Sequence, residues 1–114
     1  MTDANMNLVR GTVDLLILKA LSVEPRHGYA VSEWVEAVTE GTLLVEEGTL
    51  YPALHRLENK GLVEATWGLS DNNRRAKFYS LTRKGRQHLE RESGLWTRYT
   101  AAVAKALATH TPNP

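Results

Sequence analysis

The stretch EEGTLYPALHRLENKG, residues 46–61, decides the fold. Leu50, Leu54 and Leu57 recur at the three- and four-residue spacing that puts side chains on one face of a helix. The opposite face carries Thr49, Tyr51, Pro52, His55, Arg56 and Lys60, which are polar, aromatic or basic. Pro52 falls in the early part of the segment, where a missing N–H is tolerated. Gly61 ends it, because glycine takes up the left-handed backbone of a helix C-cap at little cost. The apolar face docks such a helix, and the other is free to touch a partner.

Upstream, Val13, Leu16, Ile17, Ala20 and Leu21 predict a first helix over about Gly11–Leu21, broken by Pro25. A second begins around His27-Gly28-Tyr29, places Val31, Trp34, Val35 and Val38 on one face, and ends before Gly41. Leu43-Leu44-Val45 is a candidate short strand. Downstream, Leu62–Trp67 and Ala76–Leu81 have β-branched and aromatic character and flank a run of turn formers, Gly68 to Arg75. They predict a β-hairpin with a basic, projecting tip. Trp34 and Trp67 are expected in the core where the second helix and the hairpin meet.

Thr82 is placed to N-cap a last helix over about Arg83–Ala108. Along it Leu89, Trp96 and Val103 recur every seven residues, with Tyr99 and Ala106 filling the intermediate position. That spacing suits packing against another helix, either in a second copy of the chain or in the chain's own core. Helix, helix, helix, hairpin is the order of a winged helix-turn-helix, an α+β fold that is mostly α. The expected organisation is a winged helix-turn-helix DNA-binding domain over 1–81, a C-terminal dimerisation helix over 82–108, and a disordered tail over 109–114.

At 114 residues the chain is one domain's worth and can bury a core without staples. It has no cysteine, which excludes disulfides and thiolate metal sites. Its first apolar run, Val13 to Leu21, contains Asp14 and Lys19 and lacks the leader and cleavage site of a signal peptide. The same run is far shorter than the roughly 20 apolar residues that span a bilayer. A soluble cytoplasmic protein with no membrane partner is expected. The net charge of +1 says less than its distribution. Glu24, Glu33, Glu36, Glu40, Glu46 and Glu47 face only Arg26 in one stretch, whereas Arg74, Arg75, Lys77, Arg83, Lys84 and Arg86 follow without an acid. Such a basic cluster is either a phosphate-binding surface or a solvated face.

Catalysis finds no support. His27, His55, His88 and His110 lack the spacing of a metal site, Gly41 and Gly48 are isolated from any phosphate loop, and no nucleophile elbow occurs. Adjacent Glu46 and Glu47 better suit the positive N-terminus of the third helix than a shared substrate. No cofactor and no metal are expected.

The segments LVRGTVDLLIL (residues 8–18), HGY (27–29), EEGTLYPALHRLENKGLVEA (46–65) and NNRRAKFYSLTRKGR (72–86) together resemble the PadR-type transcriptional regulators, in that family's order. The resemblance runs from Leu8 to about Leu89. It implies a dimeric winged helix-turn-helix with a helical C-terminal extension, usually a repressor. A single helix after the hairpin is similar to the family's short branch. In some members of that branch the dimer encloses an apolar, aromatic-lined pocket for planar effectors, and Trp96 and Tyr99 lie where such a pocket would be.

Thr49, Tyr51, Pro52, His55 and Arg56 are the candidate DNA-facing residues. Hydroxyls near a helix N-terminus bond phosphate oxygens, and Arg56 suits a guanine edge or a phosphate. Alternatively Tyr51 packs against Tyr29 or the first helix, and Arg56 pairs with a surface glutamate. Asn72, Asn73, Arg74 and Arg75 sit at the wing, where cations serve phosphate contact or minor-groove insertion. One asparagine is assigned to turn geometry. Lys77 faces DNA in only one of two strand registers. Arg10 and Asn7, before the first helix, are either backbone contacts or solvated ends. Leu89, Trp96, Tyr99 and Val103 are the dimer or effector candidates, with core packing the alternative for Trp96. The expectation is a homodimeric repressor on an inverted-repeat operator in double-stranded DNA, its third helices about 34–36 Å apart, released by a planar aromatic effector. A winged-helix module that binds protein and no DNA is the competing reading.

Overall fold

Gly61 holds a left-handed backbone, with φ at 76°. Its N–H donates to the Glu58 carbonyl at 3.0 Å, and the Leu62 N–H donates to the Leu57 carbonyl at 2.9 Å. These two bonds satisfy carbonyls that a helix end otherwise strands. In the computed structural model, which describes residues 11–110, the order is α1 (Thr12–Val23), β1 (Arg26–His27), α2 (Gly28–Val38), α3 (Glu47–Asn59), β2 (Val63–Leu69), β3 (Arg75–Leu81) and α4 (Arg83–Ala108). Arg10, Asn7 and the tail beyond His110 lie outside the described residues.

The expected apolar stripes converge on one core. Ile17, Leu18, Ala20 and Leu21 of α1, Val31 and Val35 of α2, and Leu50, Ala53, Leu54 and Leu57 of α3 are all buried. Val63 and Tyr79 bring the sheet to them. At about 25 cal/mol per Å² of apolar surface removed from water, these side chains dominate the stability of the fold.

Several expectations need correction. Val38 is exposed, because it is the last residue of α2 and overhangs the edge of the core. Leu43–Val45 is not a strand: Val45 is buried, and its carbonyl accepts a hydrogen bond from Ser32 Oγ at 2.8 Å, which pins the loop to α2. Pro52 lies in the second turn of α3, so the Gly48 carbonyl has no helical N–H to accept. The two-residue β1 is too short an edge strand to carry any periodicity in the sequence. It pairs Arg26 with Tyr79 and His27 with Phe78, giving an antiparallel sheet of order β1-β3-β2.

The end of α2 repeats the bonding of α3 with a less suitable residue. Glu40 N–H reaches the Ala37 carbonyl and Gly41 N–H the Glu36 carbonyl, at 3.1 and 2.8 Å, with Glu40 at φ 53°. A side chain there costs about 1 kcal/mol, and glycine's unfolded-state entropy offsets part of the relief. Glu40→Gly is therefore expected to raise stability by roughly 0.5 kcal/mol and Tm by about 2–4 °C in a thermal melt. A lower Tm would show that the Glu40 side chain contributes more than its backbone costs.

α3 and α4 meet at one joint. Thr82 caps α4, its Oγ1 accepting from the Gly85 N–H at 3.0 Å while donating to the Gly61 carbonyl at 2.7 Å. The Thr82 N–H donates to the Leu62 carbonyl at 3.1 Å, and Lys84 Nζ to the Lys60 carbonyl at 2.9 Å. Gly85 is buried against Leu62, and a Cβ there would strike the Leu62 carbonyl oxygen. Farther along, Leu89 is buried in the chain's own core beside α1, which accounts for its side chain without a second copy. Every residue from Ala101 to Ala108 is exposed.

Candidate nucleic-acid interface

α3 presents Thr49, Tyr51, Pro52, His55 and Arg56 on its exposed side, as the leucine spacing requires. The hairpin stands beside it, and a groove of about 370 Å³ runs between them, lined by Tyr29, Tyr51, His55, Trp67, Arg75 and Lys77. Tyr51 borders this groove with its ring against Gly28, where an added Cβ would come within 2.7 Å of the ring. The bare first residue of α2 thus makes room for the phenol. Its pKa is raised, first by burial and then by the Glu47 carboxylate and Tyr79, so the hydroxyl stays protonated near neutral pH. His27 sets the start of α2, its Nδ1 accepting from the Ala30 N–H at 3.2 Å. The HGY segment therefore combines a cap, a gap and an exposed tyrosine, roles invisible without the fold.

Arg56 is not a free cation. Its Nη2 donates to Asp14 Oδ1 of α1 at 2.6 Å, so the expected surface partner is an aspartate and not a glutamate. The guanidinium remains about half exposed, at 52% for the side chain, and keeps donors available beside α3. Asp14 also lines a second groove, of about 470 Å³, between α1 and α4, together with Leu15, Leu18, Glu92, Trp96 and Tyr99. One carboxylate thus touches both surfaces. Nothing in the sequence joins positions 14 and 56, and only the crossing of α1 over α3 does.

The β2–β3 register puts Lys77 opposite Trp67 and Arg75 opposite Leu69, on the face that carries buried Val63 and Tyr79 nearer the body. Lys77 faces the α3 groove, held by Glu58 at 3.6 Å. Asn73 has φ at 61°, and its N–H donates to the Ser70 carbonyl at 2.8 Å, so the turn role belongs to Asn73. Arg74 and Arg75 are exposed, and among the described residues neither makes an ion pair. Trp67 is 59% exposed and not in the core, because the hairpin runs past the body before reaching it. Trp34 does pack against the core.

On α4, Trp96 is half-buried at the α1–α4 groove, with its ring centroid 6.1 Å from that of Tyr99. Tyr99 is 64% exposed and Val103 is exposed. No helix among the described residues is long and apolar enough to cross a membrane.

Residues 17–91 match the model of the transcriptional regulator PadR-like family. The chain is 34% identical over 84 residues to protein X of Lysinibacillus sphaericus, covering 73% of this chain and 76% of that one. A PadR-like transcriptional regulator from Bacillus cereus is similar in structure, with a TM-score of 0.76 at 29% identity over 89% of this chain and 96% of that one. A PadR family transcription regulator from Clostridium difficile gives 0.72 at 30% identity, over 86% and 100%.

Proposed function

The chain belongs to the PadR-like family of transcriptional regulators, DNA-binding proteins and not enzymes, and we propose from this premise that it is a homodimeric repressor of adjacent genes. It binds an inverted-repeat operator by α3 and the wing, and a planar aromatic effector releases it. The observation that carries this reading is one groove with the open face of α3 on one side and wing cations on the other. Tyr51, His55 and the free donors of Arg56 face the major groove, with Thr49 and Pro52 at the same surface, while Arg74, Arg75 and Lys77 reach the phosphates. Two copies pair through the Trp96, Tyr99 and Val103 side of α4. The Trp96–Tyr99 end of the α1–α4 groove receives the effector, which shifts the dimer away from its DNA-competent state.

Counterion release makes the test direct. Affinity for a mixed-sequence duplex, followed by fluorescence anisotropy, is expected to fall steeply with salt. Arg74→Ala/Arg75→Ala should weaken it about tenfold and flatten the log–log salt slope by about 2, one for each cation lost. Binding that ignores salt would favour a protein-binding module, and a double variant with unchanged affinity would take the wing off the DNA.

A further inference from the structure

Trp67 lies outside the buried core and lines the groove beside α3. It is exposed, and it sits on the projecting half of the hairpin. Its indole face is nevertheless occupied. The Arg75 guanidinium carbon lies 4.5 Å from the ring centroid. The register produces this contact, since Arg75 is opposite Leu69 and so diagonal to Trp67 on one face of the ladder. The other wing cations differ. Lys77 is shared between the Glu58 carboxylate and the Tyr79 ring, 5.7 Å from its centroid, and among the described residues Arg74 has no ring beneath it.

We propose that Trp67 is a positioning residue for DNA binding, which stacks Arg75 so that its guanidinium edge points into the groove beside α3. A guanidinium lying over a ring still has its N–H groups directed outward in its own plane, free for a phosphate oxygen. An arginine on a hairpin otherwise samples many rotamers, and ordering it on binding lowers affinity. The indole does that ordering beforehand, within the free protein. The inference rests on the wing gripping DNA, as proposed above, and adds that the grip depends on an uncharged side chain.

A double-mutant cycle on a mixed-sequence duplex at low salt tests it. Trp67→Ala removes no charge, yet should weaken binding about two- to fivefold, the size of an exposed cation–π pair. Trp67→Phe should recover part of the loss, and Trp67→Leu, which is apolar without a π face, should not. In an Arg75→Ala background, Trp67→Ala should add nothing. Equal melting temperatures for the Trp67 variants are expected, since the indole is outside the core. The idea is overturned if Arg75→Ala weakens binding while Trp67→Ala does not, or if the two losses multiply, which would make Trp67 a contact in its own right. Should neither change alter binding, Arg75 does not grip DNA and the proposal falls, and the Arg74→Ala/Arg75→Ala variant above then decides whether the wing reading falls with it.

Discussion

Gly85→Ala is expected to remove about 3 kcal/mol or more of stability, a large part of the 5–15 kcal/mol that holds a domain of this size together. The methyl group would meet backbone, namely the Leu62 carbonyl oxygen, with the carbonyl carbon 2.9 Å away. No side-chain rotation relieves such a contact. Relief requires α4 to lift from the end of α3, and that strains three bonds, from the Thr82 N–H, Thr82 Oγ1 and Lys84 Nζ. A urea titration should show the midpoint falling with little change in slope. Gly94→Ala in the same helix is the control. Nothing lies within 4 Å of its added Cβ, so it should stabilise α4 by roughly 0.5–1 kcal/mol. If both variants melted like the parent, the tight joint would not exist in solution.

Trp96→Glu should convert the dimer proposed above to monomer at micromolar concentration. Buried tryptophans at interface centres contribute at least about 2 kcal/mol, or roughly 30-fold in dissociation constant. The new carboxylate would also stand in a groove that already holds Asp14 and Glu92. Sedimentation velocity should report the monomer. Far-UV dichroism should report lost helix, because residues 101–108 are exposed among the described residues and an exposed helix end of that length is marginal alone. Affinity for duplex should drop at least tenfold, since one half-site must then bind without the other. Retention of the dimer mass with full DNA affinity would place self-association elsewhere on the chain.

What was legible in the chain was what local chemistry specifies. Leu50, Leu54 and Leu57 mark a buried face by spacing alone, Gly61 a C-cap by its backbone freedom, and Thr82 an N-cap by its hydroxyl. The hairpin followed from two β-rich runs around a turn. What escaped depends on how far each element extends beyond its neighbours. Trp67 looks like a core residue until the hairpin is seen to overrun the body. Leu89 shares a seven-residue stripe with Trp96 and Val103, but α1 reaches only as far as the first of them at full depth. The Arg56–Asp14 pair spans 42 positions, and no periodicity carries information over that distance. The candidate site was therefore legible as a list of residues. Their pairings were not.

The joint between α3 and α4 has a mechanical consequence. A shared set of backbone carbonyls at Lys60, Gly61 and Leu62 ties the end of α3 to the start of the long C-terminal helix. With 26 residues, α4 is about 39 Å long. A tilt of about 5° at Thr82 therefore sweeps its far end through roughly 3 Å, and a helix clamped at its far end by a partner would instead swing α3. The length of the arm, not the strength of any one contact, then sets how small a change at the far end of α4 displaces α3.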